Sequence, residues 1–199
     1  MRMIGITGGV GSGKSQVLSW LREHCQGEFL EADRVAHRLM ARGGNCYAAI
    51  VELFGREILG EDGEIDRKKM GSRVFQDREL LKKLNAIVHP AVKAYIREAA
   101  DRARTRGDKF LFLEAALLIE EKYDEICDEL WYVYAGEAVR RERLKKSRGY
   151  SDEKIDGMLA SQLPEEEFRK HCCFVLDNSG DFSDTAKQLE QRMKIYENV

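Results

Sequence analysis

The sequence of 199 residues predicts a three-layer α/β fold, in which helices cover both faces of a five-stranded parallel sheet. Short apolar runs predict the strands, and segments with a helical period of apolar residues lie between them. The runs fall at about residues 3–7, 28–31, 110–113, 130–134 and 174–176. Strands that alternate with helices are typical of parallel sheets, because a parallel pair needs a long crossover connection. The length fits one principal domain with small insertions.

The charge balance restricts the partners of the protein. Lys and Arg number 33 while Asp and Glu number 35, so no overall field favours nucleic acid or an anionic membrane surface. The first residues contain no apolar stretch long enough for a signal peptide or a spanning helix. We therefore expect a cytoplasmic protein, a monomer or a small homo-oligomer, that binds anionic ligands locally and has no nucleic-acid or membrane partner.

The cysteines predict neither a disulfide framework nor a structural zinc site. Their number is odd, and no C-x-x-C spacing occurs. The pair Cys172-Cys173 beside His171 lacks the second pair of ligands that a tetrahedral site needs. We expect most of the five thiols to be reduced: Cys25, Cys46, Cys127, Cys172 and Cys173.

The first strand leads directly into a glycine-rich turn and then into a helix of about residues 14–25. The turn fits the phosphate-binding pattern G-x-x-x-x-G-K-[ST], and its position between a strand and a helix supports that assignment over an ordinary turn. Its residues are Gly8, Gly9, Val10, Gly11, Ser12, Gly13, Lys14 and Ser15. This P-loop predicts a nucleotide-binding protein.

The chemistry of the P-loop assigns roles to its residues. Glycines permit backbone conformations that aim successive N–H groups at a phosphate, and the helix N-terminus adds its partial positive charge. We expect Lys14 to reach the β and γ phosphates of ATP and the Ser15 hydroxyl to bind Mg²⁺.

Asp33 is the candidate catalytic carboxylate. It follows the second predicted strand, at the sheet edge where ligands bind in open α/β folds, and a helix with Val35 and Leu39 on one face comes next. Phosphoryl transfer needs an acceptor oxygen held in line, and a carboxylate can orient it. The alternative role for Asp33 is the N-cap of that helix, since Asp is a preferred cap.

The segment of residues 45–107 is helical almost throughout and predicts an insertion. Asp66 is expected to cap the helix that contains Met70. Pro90 suits the first turn of a long helix that Gly107 ends. A closing amphipathic helix follows the last strand much later in the chain.

Residues 137–148 contain six basic and two acidic residues. For most of the basic residues a solvated helix face is sufficient explanation. Arg140 and Arg143, however, are three residues apart and so lie near each other on a helix, and for them we favour a lid that brings guanidinium groups to phosphates.

Sequence features outside the P-loop favour a small-molecule kinase. No Asn-Lys-x-Asp tetrapeptide, which a GTPase would use to recognise guanine, is present. Phe112-Leu113-Glu114 is followed by alanines rather than by the second acidic residue of a motor ATPase, and the chain is short for that class.

Several short elements resemble the dephospho-coenzyme A kinase family nearly from end to end. Ile4 to Ser15 matches the family's P-loop pattern with a slight offset in the strand, and Glu31-Ala32-Asp33 corresponds to its Asp-Ala-Asp element. The chain departs from the pattern at Glu31, Gln16, Ala116 and Cys172-Cys173. Further matches follow in order: Phe54-Gly55, Asp62-Gly63, Asp66-Arg67, Val74-Phe75, Leu84-Asn85, His89-Pro90, Ala116-Leu117-Leu118-Ile119-Glu120, Arg140, Arg143, Arg148, Gln162 and Asn178.

The resemblance implies ATP-dependent phosphorylation of the ribose 3′-hydroxyl of dephospho-coenzyme A. It implies a P-loop kinase fold with a core of about residues 1–44, 108–136 and 172–199, a helical acceptor-binding insertion of about 45–107 and an arginine-bearing lid of about 137–171. The alternatives are a nucleoside or nucleotide kinase on the same core and a nucleotide switch that transfers nothing.

The resemblance also implies individual roles. Catalysis is expected from Asp33, Lys14 and Arg140, and acceptor binding from Asp33, His89 and Leu117. His89 has a second interpretation, in which it packs and caps the long helix. ATP binding is expected from the P-loop residues together with Gln16, Arg140, Arg143 and Asn178.

Overall fold

A computed structural model describes residues 1–197 and contains a five-stranded sheet in the order β2-β3-β1-β4-β5. The pairs of β1 with β3, of β1 with β4 and of β4 with β5 are parallel. The predicted α/β fold with a five-stranded sheet is therefore confirmed. The strands are β1 (Arg2–Thr7), β2 (Gly27–Glu31), β3 (Phe110–Glu114), β4 (Glu129–Tyr134) and β5 (Phe174–Asp177).

Nine α-helices occupy much of the described chain, residues 1–197, and none of them is long and apolar enough to cross a membrane. The two short helices between residues 149 and 171 were not predicted individually, because segments this short carry little periodic signal. The helices are α1 (Lys14–His24), α2 (Ala32–Met40), α3 (Tyr47–Phe54), α4 (Arg67–Gln76), α5 (Arg78–Arg106), α6 (Glu137–Arg148), α7 (Asp152–Ala160), α8 (Glu165–His171) and α9 (Phe182–Glu197).

The chain forms two compact units. The first contains Met1–Phe29 and the described part of Arg106–Val199. Its core packs the sheet against helices α1 and α9, and the strands carry continuous apolar runs because helices cover both faces of the sheet. Phe112 and Trp131 are completely buried there, each contributing about 1.5–3 kcal/mol or more of hydrophobic free energy.

The second unit, Leu30–Thr105, is predominantly helical, and helices α3, α4 and α5 lie in the segment of residues 45–107 that was predicted to be helical. Asp66 caps α4, since its carboxylate accepts hydrogen bonds from the backbone N–H groups of Lys68 at 2.9 Å and Lys69 at 3.2 Å. This expected cap is confirmed. The side chains of Ile50 and Ile96 are completely buried in this unit.

Pro90 does not lie in a first helical turn, and this prediction was wrong. Helix α5 begins at Arg78, twelve residues before Pro90, so Pro90 lies inside the helix. Asp77 caps this start by accepting backbone hydrogen bonds at 2.9 and 3.0 Å from the next turn. A proline inside a helix destabilises that helix by about 3 kcal/mol. The apolar face of α5, however, continues on both sides of Pro90 with the buried residues Val88 and Val92, and its burial favours one continuous helix. His89 therefore does not cap the long helix.

Glu129 forms a buried polar cluster at the beginning of β4. Burial alone would raise the pKa of its carboxyl group, but the hydrogen bonds of the cluster outweigh burial and lower the pKa to about 2. The carboxylate is 12% exposed. The nitrogen and hydroxyl donors of this Glu129 cluster are Tyr196 at 2.6 Å, Trp131 at 3.1 Å, Arg192 at 2.7 Å and Arg2 at 2.7 Å, and the Cys173 thiol donates a longer bond at 3.7 Å.

Glu129→Gln should lower the free energy of unfolding at pH 7 by about 3 kcal/mol, at about 1.4 kcal/mol per unit of pKa shift. Because the folded pKa is lowered, the contribution of Glu129 is present above about pH 4.5 and is lost as the pH falls towards about 2. The difference between wild type and variant should shrink over that range in denaturant titrations. Glu190→Gln, an exposed change on α9, is the control. A pH-independent difference would contradict the assignment.

Candidate active site

The P-loop joins β1 to α1 at the carboxyl edge of the sheet. Gly13 precedes α1 with φ of 94°, and Gly11 has φ of 78°; both values lie in the left-handed region that favours glycine. The first turn of any helix leaves backbone N–H groups without intrahelical acceptors. The loop therefore has the backbone geometry of an anion-binding site.

Lys14 folds back over the loop. Its Nζ donates to the carbonyl oxygen of Gly8 at 2.8 Å and lies 3.9 Å from the carboxylate of Glu114. Both side chains are largely buried, at 14% and 17% exposure. The ammonium group is thus held at the loop by polar partners rather than extended into solvent.

Glu114 was not predicted as a site residue. It is the last residue of β3 and pairs in register with Ile6 of β1, so the parallel strands bring its carboxylate to the beginning of the P-loop. The available signal was an acidic residue at the C-terminal end of a predicted strand, which is also the position that selected Asp33.

The other loop side chains differ in exposure. Ser15 and Gln16 are exposed in the first turn of α1, and Val10 is half-buried. Ser12 is buried, and within the described residues its hydroxyl has no hydrogen-bond partner. The Ser15 hydroxyl is accessible to a metal ion, as its predicted role requires.

Arg140 lies on the P-loop. Its guanidinium donates to the Gln162 side-chain oxygen at 3.2 Å, and a Cβ added at Gly9 would overlap that guanidinium. Leu144, one turn further along α6, packs closely against Gly11, since a Cβ added at Gly11 would lie 3.1 Å from the Leu144 side chain. Helix α6 therefore contacts the glycines of the loop through the residue that the sequence selected as a lid arginine.

Arg143 and Asn178 both contact the loop at Ser12. The Asn178 side-chain nitrogen donates to the Ser12 carbonyl oxygen at 2.7 Å, and Arg143 donates to the same oxygen at 3.3 Å. Asn178 is completely buried, and its own oxygen accepts from Thr185 at 2.9 Å. These contacts fix the loop backbone, whereas direct contacts of Arg143 and Asn178 with ATP stay predictions.

Two other basic residues of α6 form ion pairs with carboxylates. Arg141 forms ion pairs with Glu137 at 2.8 Å and with Asp156 at 2.6 Å, and Lys145 pairs with Asp152 at 2.7 Å. These pairs match the expectation of a solvated helix face for most of the basic residues.

Asp33 is exposed in the first turn of α2, directly after β2. The N-cap position belongs to Glu31, which makes no side-chain capping hydrogen bond. The alternative interpretation of Asp33 as the cap was therefore wrong. An acidic residue in the first turn still interacts favourably with the helix dipole, by about 0.3–1 kcal/mol.

The other two residues that are predicted to bind the phosphoryl acceptor, His89 and Leu117, lie in different units of the chain. His89 is half-buried in the middle of α5, in the second unit. Leu117 is 46% exposed in the segment that follows β3, in the first unit. A large apolar side chain that is this exposed is available to a ligand, and both assignments stay predictions.

Comparisons with known proteins agree with one another. The sequence profile of the dephospho-CoA kinase family matches residues 2–184. A dephospho-CoA kinase from Carboxydothermus hydrogenoformans is 38% identical over 187 residues, which cover 94% of this chain and 90% of that protein.

Two solved structures are also similar to this chain. TT1252 from Thermus thermophilus superimposes with a TM-score of 0.82 at 34% identity and covers 97% of this chain and 96% of its own. A dephospho-CoA kinase from Campylobacter jejuni has a TM-score of 0.75 at 23% identity and covers 100% of this chain and 99% of its own. The second similarity supports the fold alone.

Proposed function

Because the chain belongs to the dephospho-CoA kinase family, we propose that it transfers the γ-phosphoryl group of ATP to the ribose 3′-hydroxyl of dephospho-coenzyme A. The product is coenzyme A, and the reaction is the last step of coenzyme A biosynthesis. The observation that carries the proposal is a complete P-loop with Lys14 folded over it and Arg140 against Gly9.

The phosphates of ATP are proposed to bind the loop backbone, with Lys14 at the β and γ phosphates. Phosphoryl transfer develops little covalent chemistry for the protein to perform, so fixed positive charge and positioning supply most of the acceleration. Arg140 is suited to this role because, within residues 1–197, no carboxylate forms an ion pair with it. Its charge is available to a polyanion.

Asp33 is proposed to orient the 3′-hydroxyl and to accept its proton. A ribose hydroxyl is a weak acid, so the carboxylate takes the proton late, as the new P–O bond forms. His89 and Leu117 are proposed to contact the acceptor, with the insertion of residues 45–107 as its binding region and residues 137–171 as the lid. Asp33 is exposed and thus accessible to a substrate.

The oxygen groups near Lys14 suit Mg²⁺, which prefers hydroxyl, carboxylate and water ligands. The exposed Ser15 hydroxyl would be the direct protein ligand, and the Glu114 carboxylate, 3.9 Å from Lys14, stands close to the same loop. When bound, the ion neutralises charge on the β and γ phosphates.

Ser15→Ala should raise the Mg²⁺ concentration for half-maximal activity by about 10- to 100-fold, because a metal ligand is lost. Ser19→Ala, an exposed serine on the same helix, is the matched control and should leave the titration unchanged. Magnesium titrations at fixed ATP measure the effect. Superimposable titrations of wild type and Ser15→Ala would exclude Ser15 as the ligand.

The direct test of the function is incubation with MgATP and dephospho-coenzyme A, followed by mass spectrometry. We expect the acceptor to gain one phosphoryl group on the 3′ oxygen, with one ADP formed for each. Nucleosides and nucleotides serve as parallel acceptors. Phosphorylation of one of these instead would indicate another small-molecule kinase, and ATP hydrolysis without any phosphorylated acceptor would indicate a nucleotide switch.

A further inference from the structure

The guanidinium of Arg140 has more hydrogen-bonding capacity than its surroundings use. Arginine carries five N–H donors, and among the described residues the acceptor of Arg140 is the Gln162 side-chain oxygen at 3.2 Å. The Nε–H of Arg140 is buried, and no hydrogen-bond partner for it is found in residues 1–197. Buried donors are normally satisfied, so this one marks a place where an acceptor is expected.

Gln162 is well placed to hold this guanidinium. It is half-buried two residues after the end of α7, and its backbone N–H donates to the Leu159 carbonyl oxygen at 3.2 Å. Its side-chain oxygen also lies on the P-loop, since a Cβ added at Gly9 would come within 2.9 Å of it. Helix α7 is in turn tied to α6 by the ion pair of Arg141 with Asp156.

The hydrogen-bond partner of Arg140 is a neutral amide rather than a carboxylate. An amide oxygen accepts one hydrogen bond from arginine and leaves its positive charge intact, whereas a carboxylate would neutralise that charge and compete with phosphate. The neighbouring Arg141 shows the other arrangement, with carboxylates of Glu137 and Asp156 as partners. Arg140 has only a neutral partner within residues 1–197.

We propose that Gln162 is a positioning residue that holds the Arg140 guanidinium over the P-loop and leaves its charge and its buried Nε–H for an anionic phosphate group. The proposal rests on the proposed function in one respect, that the anion is the triphosphate of ATP. Gln162 acts through Arg140: it fixes the side-chain conformation before the nucleotide binds, so less freedom is lost on binding.

Two substitutions separate positioning from a structural role. Gln162→Leu removes the acceptor with little change in size, and Gln162→Glu keeps the geometry but adds a charge that pairs with Arg140. We expect each to raise the KM for ATP by at least about tenfold with the KM for the acceptor unchanged. Gln162→Glu should retain or raise the unfolding temperature, because it adds a charge-assisted hydrogen bond.

A double-mutant cycle tests whether Gln162 works through Arg140. In an Arg140→Ala background, Gln162→Leu should cause no further loss of ATP affinity. The same two substitutions at Gln191, an exposed residue of α9, serve as controls for adding a charge or removing an amide.

Titration with a fluorescent N-methylanthraniloyl derivative of ATP measures nucleotide affinity without any acceptor. Weakened binding in both Gln162 variants supports the inference even if dephospho-coenzyme A is not phosphorylated, an outcome that would refute only the proposed function. Wild-type affinity and KM in both variants, additive losses in the cycle, or failure of the wild type to bind the nucleotide would overturn the inference.

Discussion

Lys14→Ala is expected to lower turnover by about 100- to 1000-fold, the usual loss when one donor that stabilises transition-state charge is removed. The ammonium group is already held at the loop by the Gly8 carbonyl oxygen and lies 3.9 Å from Glu114. Little reorganisation is therefore needed when the phosphates arrive. Steady-state kinetics with saturating MgATP and acceptor measure the loss.

The control for this result is Lys170→Ala, which removes an exposed lysine of α8. Because Lys14 also binds the loop backbone, the unfolding temperature of the variant must be compared with that of the wild type. Lys14→Arg retains the charge in a different geometry and should have intermediate activity. Turnover of Lys14→Ala at the wild-type level, in a folded protein, would refute the role of Lys14.

Asp33→Asn is expected to retain ATP affinity and to lose about 100- to 10,000-fold in the transfer step, the range typical of a general base. The substitution is nearly isosteric, and Asp33 is exposed and does not cap α2, so stability should change little. Single-turnover measurements with preformed enzyme–nucleotide complex separate the transfer step from nucleotide binding.

Glu52→Gln is the matched control, since it neutralises an exposed carboxylate of α3 in the same unit. It should leave the transfer rate unchanged. If Asp33→Asn transfers the phosphoryl group at the wild-type rate, Asp33 has no part in the chemistry, and its position in the first turn of α2 contributes only a helix-dipole interaction.

Local signals in the sequence predicted the strands and the P-loop well. The apolar run before Gly8 and the helical period after Lys14 are confirmed as β1 and α1. Such features depend on neighbours within a few residues, which the sequence displays directly. The prediction for Pro90 was wrong because the buried apolar residues of α5, from Leu84 to Ala103, stabilise the helix by more than one missing hydrogen bond costs.

Contacts between distant parts of the chain could not be predicted in the same way. Glu114 reaches the loop only because β3 lies beside β1, and Gln162 reaches Gly9 only because α7 is paired with α6. The sequence shows that Glu114 ends a predicted strand and that Gln162 matches a family pattern, but it does not show which distant residues lie beside them. The structure therefore adds the polar partners of Lys14 and Arg140, whereas the sequence had already indicated both basic residues.

Phosphate binding by the P-loop can be observed in a crystal structure of the protein with a non-hydrolysable ATP analogue and Mg²⁺. We expect the β and γ phosphates to lie within about 2.7–3.2 Å of backbone N–H groups of residues 8–15 and of the Lys14 ammonium. Electron density for the triphosphate at any other place, with the loop left without phosphate, would contradict this expectation.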